Sequence, residues 1–156
     1  MLHILYRQYA SKLIIPVQLH HLEEIVAIEN ISFKNPWCKI QIQSDIQSEM
    51  DSENWVYLMD ELVVGYILGW IVLDEFHLNN IAVHPDYLRK NIGKKLIQHI
   101  ISRVIYRDIK VILLEVSANN IPAQKCYTSI GFNSMGKRED YYAKGEDAIL
   151  YYLDII

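Results

Sequence analysis

A chain of 156 residues with a net charge of −4, 51% hydrophobic and 22% charged, is long enough for one domain with a core and too short for two. The acidic balance excludes a global pull toward nucleic acid or an anionic membrane, and no apolar run approaches the roughly 18 residues of a membrane span. Cys38 and Cys126 are far apart and form no CxxC pair, which argues against a zinc site and a disulfide framework and for a reducing cytoplasm.

Residues 1–11 carry Arg7 and Gln8 among their apolar positions, so they lack a signal-peptide core and read as an N-terminal extension of one domain spanning 1–156. Residues 12–17 read as a first strand. Residues 20–29 read as a helix, with Leu22, Ile25 and Val26 on one face. Asn35-Pro36-Trp37 breaks the pattern, and a weaker helix is expected over 39–50. Strands over 55–58 and 62–73 meet at Asp60-Glu61, and a third over 76–83 ends at His84-Pro85-Asp86. The helix from Ile92 has apolar residues at 96, 97, 100, 101, 104 and 105, nearly one continuous stripe. Residues 109–116 form an almost unbroken apolar strand, the pattern of burial on both faces, interrupted by Glu115. Pro122 suits the first turn of the next helix and Gly131 its end. Strands over 132–137 and 148–153 complete the chain. Antiparallel neighbours followed by a β-α-β-α-β segment predict a mixed α+β fold.

The residues that carry chemistry lie between Asn79 and Phe132. The segment Tyr87-Leu-Arg-Lys-Asn-Ile-Gly93 joins a strand to a helix, so the free N–H groups and dipole of the helix's first turn favour an anion such as a pyrophosphate. Arg89, Lys90 and Lys94 add charge, Gly93 allows close backbone approach, and Asn91 tolerates positive φ. The same residues also suit an ordinary basic helix start, and they match neither the Walker loop nor the Rossmann glycine pattern. Glu115 has two readings: a strand-end carboxylate reaching water, or a half-buried carboxylate fit to take a proton. Tyr127 shares a helix face with Ala123, Cys126 and Ile130 and reads first as a core tyrosine, whose hydroxyl still needs a partner. Asn119-Asn120 is most simply a helix cap. The six histidines show no ligand spacing, so no metal is expected.

Together these residues resemble the GNAT superfamily of acetyl-CoA-dependent N-acetyltransferases, over about residues 13–153. The family's loop, Q/R-x-x-G-x-G/A, falls on residues 88–93 and keeps only Gly93; Leu88 replaces the polar first residue and Asn91 the first glycine. Within the superfamily the chain looks most like the ribosomal-protein-alanine N-acetyltransferases. The resemblance rests on Asn35-Pro36-Trp37, Asn80-Ile-Ala-Val83, and Leu114-Glu-Val116 followed by Asn120. It rests also on Cys126-Tyr127 before Ile130-Gly-Phe132, and on Tyr141-Tyr142 leading to Glu146-Asp-Ala148.

That resemblance implies a central, twisted, mostly antiparallel sheet of about seven strands with about four helices, splayed between the fourth and fifth strands. It makes Glu115 the general base and Tyr127 the general acid. It puts Ile81, Ala82, Val83, Arg89, Lys90, Asn91, Ile92, Gly93, Lys94 and Asn120 around acetyl-CoA, with no metal. The acceptor it implies is the N-terminal alanine of a ribosomal protein, small-subunit protein eighteen. A peptide groove is expected between the 33–37 and 141–146 loops, walled by Phe33, Trp37, Tyr141 and Tyr142. Glu139, Asp140, Glu146 and Asp147 there either attract a basic tail or form a solvated hairpin. The expected protein is a cytoplasmic monomer with no nucleic-acid or membrane partner. Three rivals stay open: a GNAT enzyme for small amines or protein lysines, a non-catalytic CoA-binding module, and an interaction protein without a cofactor.

Overall fold

Seven strands form one sheet in the order β1-β2-β3-β4-β5-β7-β6. The computed structural model describes residues 12–155, so the expected extension over residues 1–11 lies outside the described residues. The chain runs β1 (Lys12–Pro16), α1 (Leu22–Ser32), α2 (Lys39–Ile46), β2 (Trp55–Met59), β3 (Leu62–Val72) and β4 (Glu75–Val83). It continues with α3 (Ile92–Val104), β5 (Val111–Ser117), α4 (Ile121–Ile130), β6 (Asn133–Ala143) and β7 (Glu146–Asp154). Single 3-10 turns at Leu19–His21 and Pro85–Tyr87 precede α1 and follow β4. Every strand pair is antiparallel except β4 with β5. The expected mixed α+β sheet with its break between the fourth and fifth strands is present.

Helices cover both faces because the strand side chains alternate between two cores. On one face Ile92, Leu96, Ile97, Ile100 and Val104 of α3 pack with Ile67, Phe76, Ile112 and Leu114. On the other, Leu22, Ile25, Ile28 and Ile42 of α1 and α2 pack with Val56, Tyr66, Leu68 and Ala82. Each such fully buried aliphatic side chain contributes about 1.5–3 kcal/mol. Gly69 is required by this packing: a Cβ there would lie 2.2 Å from the Phe76 ring.

The break in the sheet has a specific origin. β4 pairs with β5 only from Glu75↔Val111 to Leu78↔Leu114. The next residue, Asn79, is a bulge, since Gly69 faces Leu78 while Leu68 faces Asn80. One extra residue turns the strand over. Phe76 and Leu78 belong to the α3 core, whereas Ala82 belongs to the α1 core and Ile81 and Val83 now face α3. Beyond the bulge β4 stays with β3, while β5 follows β7 through Ser117↔Ala148. The two strands therefore diverge.

Several element expectations need correction. β5 alternates: Ile112, Leu114 and Val116 are buried, while Val111, Leu113, Glu115 and Ser117 are half-exposed, so burial on both faces is not complete. The second helix stops at Ile46 rather than continuing to residue 50, before the bend that enters β2. β6 continues to Ala143, so Tyr141 and Tyr142 stand on a strand and the turn to β7 is only Lys144-Gly145. The strand was hidden by its exposed, charged sequence and by two register shifts against β7.

Candidate functional site

The divergence of β4 and β5 opens a cavity of about 710 Å³, closed by the N-terminal ends of α3 and α4 and the C-terminal end of α1. Its strand wall is Ile81, Ala82 and Val83. The His84 N–H donates to the Val64 carbonyl of β3 at 2.8 Å. Antiparallel alternation then turns the N–H groups of Ile81 and Val83 away from β3, toward the divergence.

The loop into α3 is built to receive an anion. Arg89 and Asn91 both take left-handed backbone, with φ of 61° and 58°. Asn91 thus adopts the conformation that glycine would otherwise supply. Its side chain makes no capping bond, and the first intrahelical bond is Lys95 N–H to the Asn91 carbonyl at 3.0 Å. The N–H groups of Ile92, Gly93 and Lys94 are left without intrahelical partners, in a turn that curves like a nest. Gly93 lines the cavity, and a Cβ there would come no nearer the protein than 3.8 Å, to Val83. Packing within the chain does not require this glycine. Arg89 and Lys94 reach the same cavity, and so does Lys125 of α4, which the sequence analysis did not single out. Lys90 is absent from the lining, and its ammonium lies 5.1 Å from the centre of the Tyr87 ring.

On the far wall, Asn120 caps α4 as its residue type predicts, accepting from the Ala123 N–H at 3.2 Å. Gln124 ties the same helix to the end of β5 through the Ser117 and Ala118 carbonyls, at 3.1 and 3.0 Å. Tyr127 lines the cavity and packs on Phe132 and Tyr151, with ring centroids 5.8 and 6.1 Å away. Burial, reinforced by Cys126 and Tyr142, raises the Tyr127 phenol well above its ordinary pKa, so at neutral pH it keeps its proton. Cys126 also lines the cavity. Burial pushes its thiol up against a smaller opposing effect of Lys94, which leaves it a poor nucleophile.

Glu115 is not the lone carboxylate that the sequence suggests. Its side chain is 26% exposed, and Oε1 lies 2.9 Å from an Arg138 guanidinium nitrogen on β6. The Glu115 carboxylate is the main cause that raises the Tyr141 phenol, and the guanidinium sits 5.5 Å from the Tyr141 ring centre. Tyr142 meets Tyr141 edge to face at 5.0 Å, and burial pushes its phenol up to about 12. Arg138 was missed because two strands of sheet, not a spacing in the chain, bring it to Glu115.

Of the four residues expected to wall a peptide groove, the cavity lining includes Phe33 and not Trp37, Tyr141 or Tyr142. Phe33 lines the cavity, and Trp37 packs against the α1 core. The Trp37 N–H donates at 2.8 Å to Glu29, a carboxylate only 1% exposed. Glu29 also accepts from the Tyr66 hydroxyl and, at 3.1 Å, from the Asn80 amide. It therefore joins the 33–37 loop to β3 and β4. Lys34 reaches across to Glu146 at 2.8 Å, linking the two walls. Of the four acidic residues in the hairpin, Asp147 pairs with Lys137 at 2.9 Å and Asp140 accepts from the Gly145 N–H at 2.5 Å. With Glu146 on Lys34, these groups fit the solvated-hairpin reading better than a free acidic patch. Among the described residues no cluster of three His, Cys, Asp or Glu side chains is arranged to hold a metal ion, and no helix is long and apolar enough to cross a membrane.

Comparison with known proteins agrees with this geometry. Residues 19–132 match the profile of the acetyltransferase (GNAT) family. A [ribosomal protein bS18]-alanine N-acetyltransferase of Salmonella typhimurium strain LT2 is 40% identical over 99 residues, 62% of this chain and 67% of its own. The crystal structure of the ribosomal-protein-S18-alanine N-acetyltransferase from Escherichia coli superposes with a TM-score of 0.87 at 32% identity, covering 93% of this chain and 94% of that one. Arabidopsis thaliana NAA60 in complex with acetyl-CoA shares the fold, with a TM-score of 0.85 at 18% identity over 93% of this chain and 99% of its own.

Proposed function

The chain belongs to the GNAT acetyltransferase family, and from that premise we propose that it is an acetyl-CoA-dependent N-terminal acetyltransferase acting on the N-terminal alanine of a ribosomal protein, small-subunit protein S18. The observation that carries the cofactor half is the convergence on one cavity of an open strand edge, a nest of free N–H groups and three cationic side chains. The acceptor half is supported by relatives named as alanine N-acetyltransferases of that ribosomal protein.

Bound acetyl-CoA supplies an acetyl group activated as a thioester. The N–H groups of residues 92–94, with Arg89, Lys94 and Lys125, suit its pyrophosphate. The free edge at Ile81 and Val83 suits an extended amide-bearing arm, which pairs with it as an added strand does. Asn120 offers its amide from the other side. The Val83 N–H is the natural donor to the oxygen that gains charge as the thioester carbonyl is attacked.

The acceptor amine attacks directly, so no nucleophilic side chain is needed. An α-amine with pKa about 7.8 is roughly a quarter neutral at pH 7.4, while a lysine near 10.4 is about a thousandth neutral. The proton released on bond formation passes to Glu115 through water, and Tyr127, protonated because it is buried, donates its hydroxyl proton to the departing sulfur. Aromatic walls at Phe33, Trp37, Tyr141 and Tyr142 hold the peptide's first residues.

Two substitutions test the assignment. Glu115→Gln lowers kcat by about 10²-fold, the small end of general-base effects because the α-amine is already partly neutral. Tyr127→Phe slows turnover while calorimetry shows CoA bound as tightly as before. Unchanged turnover in both variants sinks it.

A further inference from the structure

We propose that Arg138 is a positioning residue that holds Glu115 as one half of a neutral ion pair, so that the site takes its amine as the free base instead of capturing it as an ammonium. The inference rests on the proposed transfer at Glu115 and adds how the site keeps its amine unprotonated. Glu115 pairs with Leu150 and Leu150 with Gly136, while Arg138 stands two residues further along β6 opposite Ala148. The guanidinium therefore spans two strand spacings, about 9–10 Å. Beyond β7, the β6 position level with Glu115 is Gly136, around whose missing Cβ there is nothing within 4 Å. The contact that results is 2.9 Å, with Arg138 braced over Tyr141.

The groups found against the Glu115 carboxylate are Arg138, Tyr141 and Tyr142, all from β6; β7 sets Leu150 opposite it, and β4 has ended its pairing with β5 at Leu78. The two phenols are both raised and stay neutral at neutral pH, so among the described residues Arg138 is the one cation set against the carboxylate. A carboxylate standing alone would stabilise a nearby ammonium, by one to three pKa units at 4–6 Å. An N-terminal amine would then be held protonated and unreactive, much as a lysine is. Neutralised by Arg138, the carboxylate accepts a proton late in the reaction without binding one early. The site then draws on the amine that is already neutral in solution, a far larger fraction for an α-amine near pKa 7.8 than for a lysine near 10.4.

The test is the pH dependence of kcat and KM for the wild type, Arg138→Gln and Arg138→Lys, each with an Ala-starting peptide and with an N-terminally blocked peptide carrying one internal lysine. Arg138 is half-exposed on an outer strand, so both variants are expected to fold, and circular dichroism verifies it. In Arg138→Gln the acid limb of kcat moves up by about one pH unit and the peptide KM at pH 7 falls, because the ammonium now binds. Arg138→Lys restores the limb to within a fraction of that shift. An acid limb that stays in place in Arg138→Gln, with KM unchanged or raised, overturns the inference. The underlying reading fails differently: a wild type that acetylates the lysine peptide and not the N-terminus sinks the N-terminal assignment, while the limb shift is still read on the lysine peptide.

Discussion

Glu29 is held by three groups from three other parts of the chain, and its removal has a definite cost. Glu29→Ala leaves the Trp37 N–H, the Tyr66 hydroxyl and the Asn80 amide without their acceptor in a site 1% exposed. Each stranded donor costs about 1–3 kcal/mol. A urea titration should show a loss of about 3 kcal/mol or more, with Glu29→Gln costing less because one oxygen remains. Peptide KM should rise in both, since the 33–37 loop loses its anchor. No spacing in the sequence announces this cluster, because its partners lie 8, 37 and 51 positions away. Arg138 escaped for the same reason. Glu115 and Tyr127, by contrast, were legible: strand alternation and helix periodicity fix the face on which each stands, and both interrupt or overload an apolar pattern.

At the scale of elements, the loop into α3 shows how a family pattern survives the loss of its glycine. Asn91 takes φ of 58° in place of glycine, and the neighbouring Arg89 takes 61°. The remaining glycine, Gly93, is free of such demands, since a Cβ would meet only Val83 at 3.8 Å. Gly93→Ala should therefore leave the melting temperature within about a degree and weaken CoA binding about tenfold, measured by calorimetry. Equal affinity would mean that the cofactor backbone does not approach this turn closely. The helices and inner strands were readable because apolar periodicity reports burial. The second half of β6, beyond residue 137, was not, since an exposed strand of charged and aromatic residues carries no such period and its register shifts twice against β7. The bulge at Asn79 was invisible too, although it reverses the strand's faces and starts the divergence.

For the whole molecule, a sheet covered by helices on both faces opens between its central strands, where β4 and β5 part beyond Leu78↔Leu114. The cofactor-type loop, the cavity and Tyr127 lie on the α3–α4 side of that opening, and the Glu115–Arg138 pair lies beside the hairpin of β6 and β7. In the proposed function the substrate amine arrives between the 33–37 loop and that hairpin, which are linked by Lys34 and Glu146. The account's central claim is that an N-terminal α-amine reaches acetyl-CoA there. Mass spectrometry of the wild-type protein with acetyl-CoA, an Ala-starting peptide from ribosomal protein S18 and an N-terminally blocked internal-lysine control tests it directly. Acetyl on the N-terminal alanine, with the lysine control unmodified at pH 7.4, is the predicted result; acetyl on the lysine alone, or on neither peptide, would contradict it.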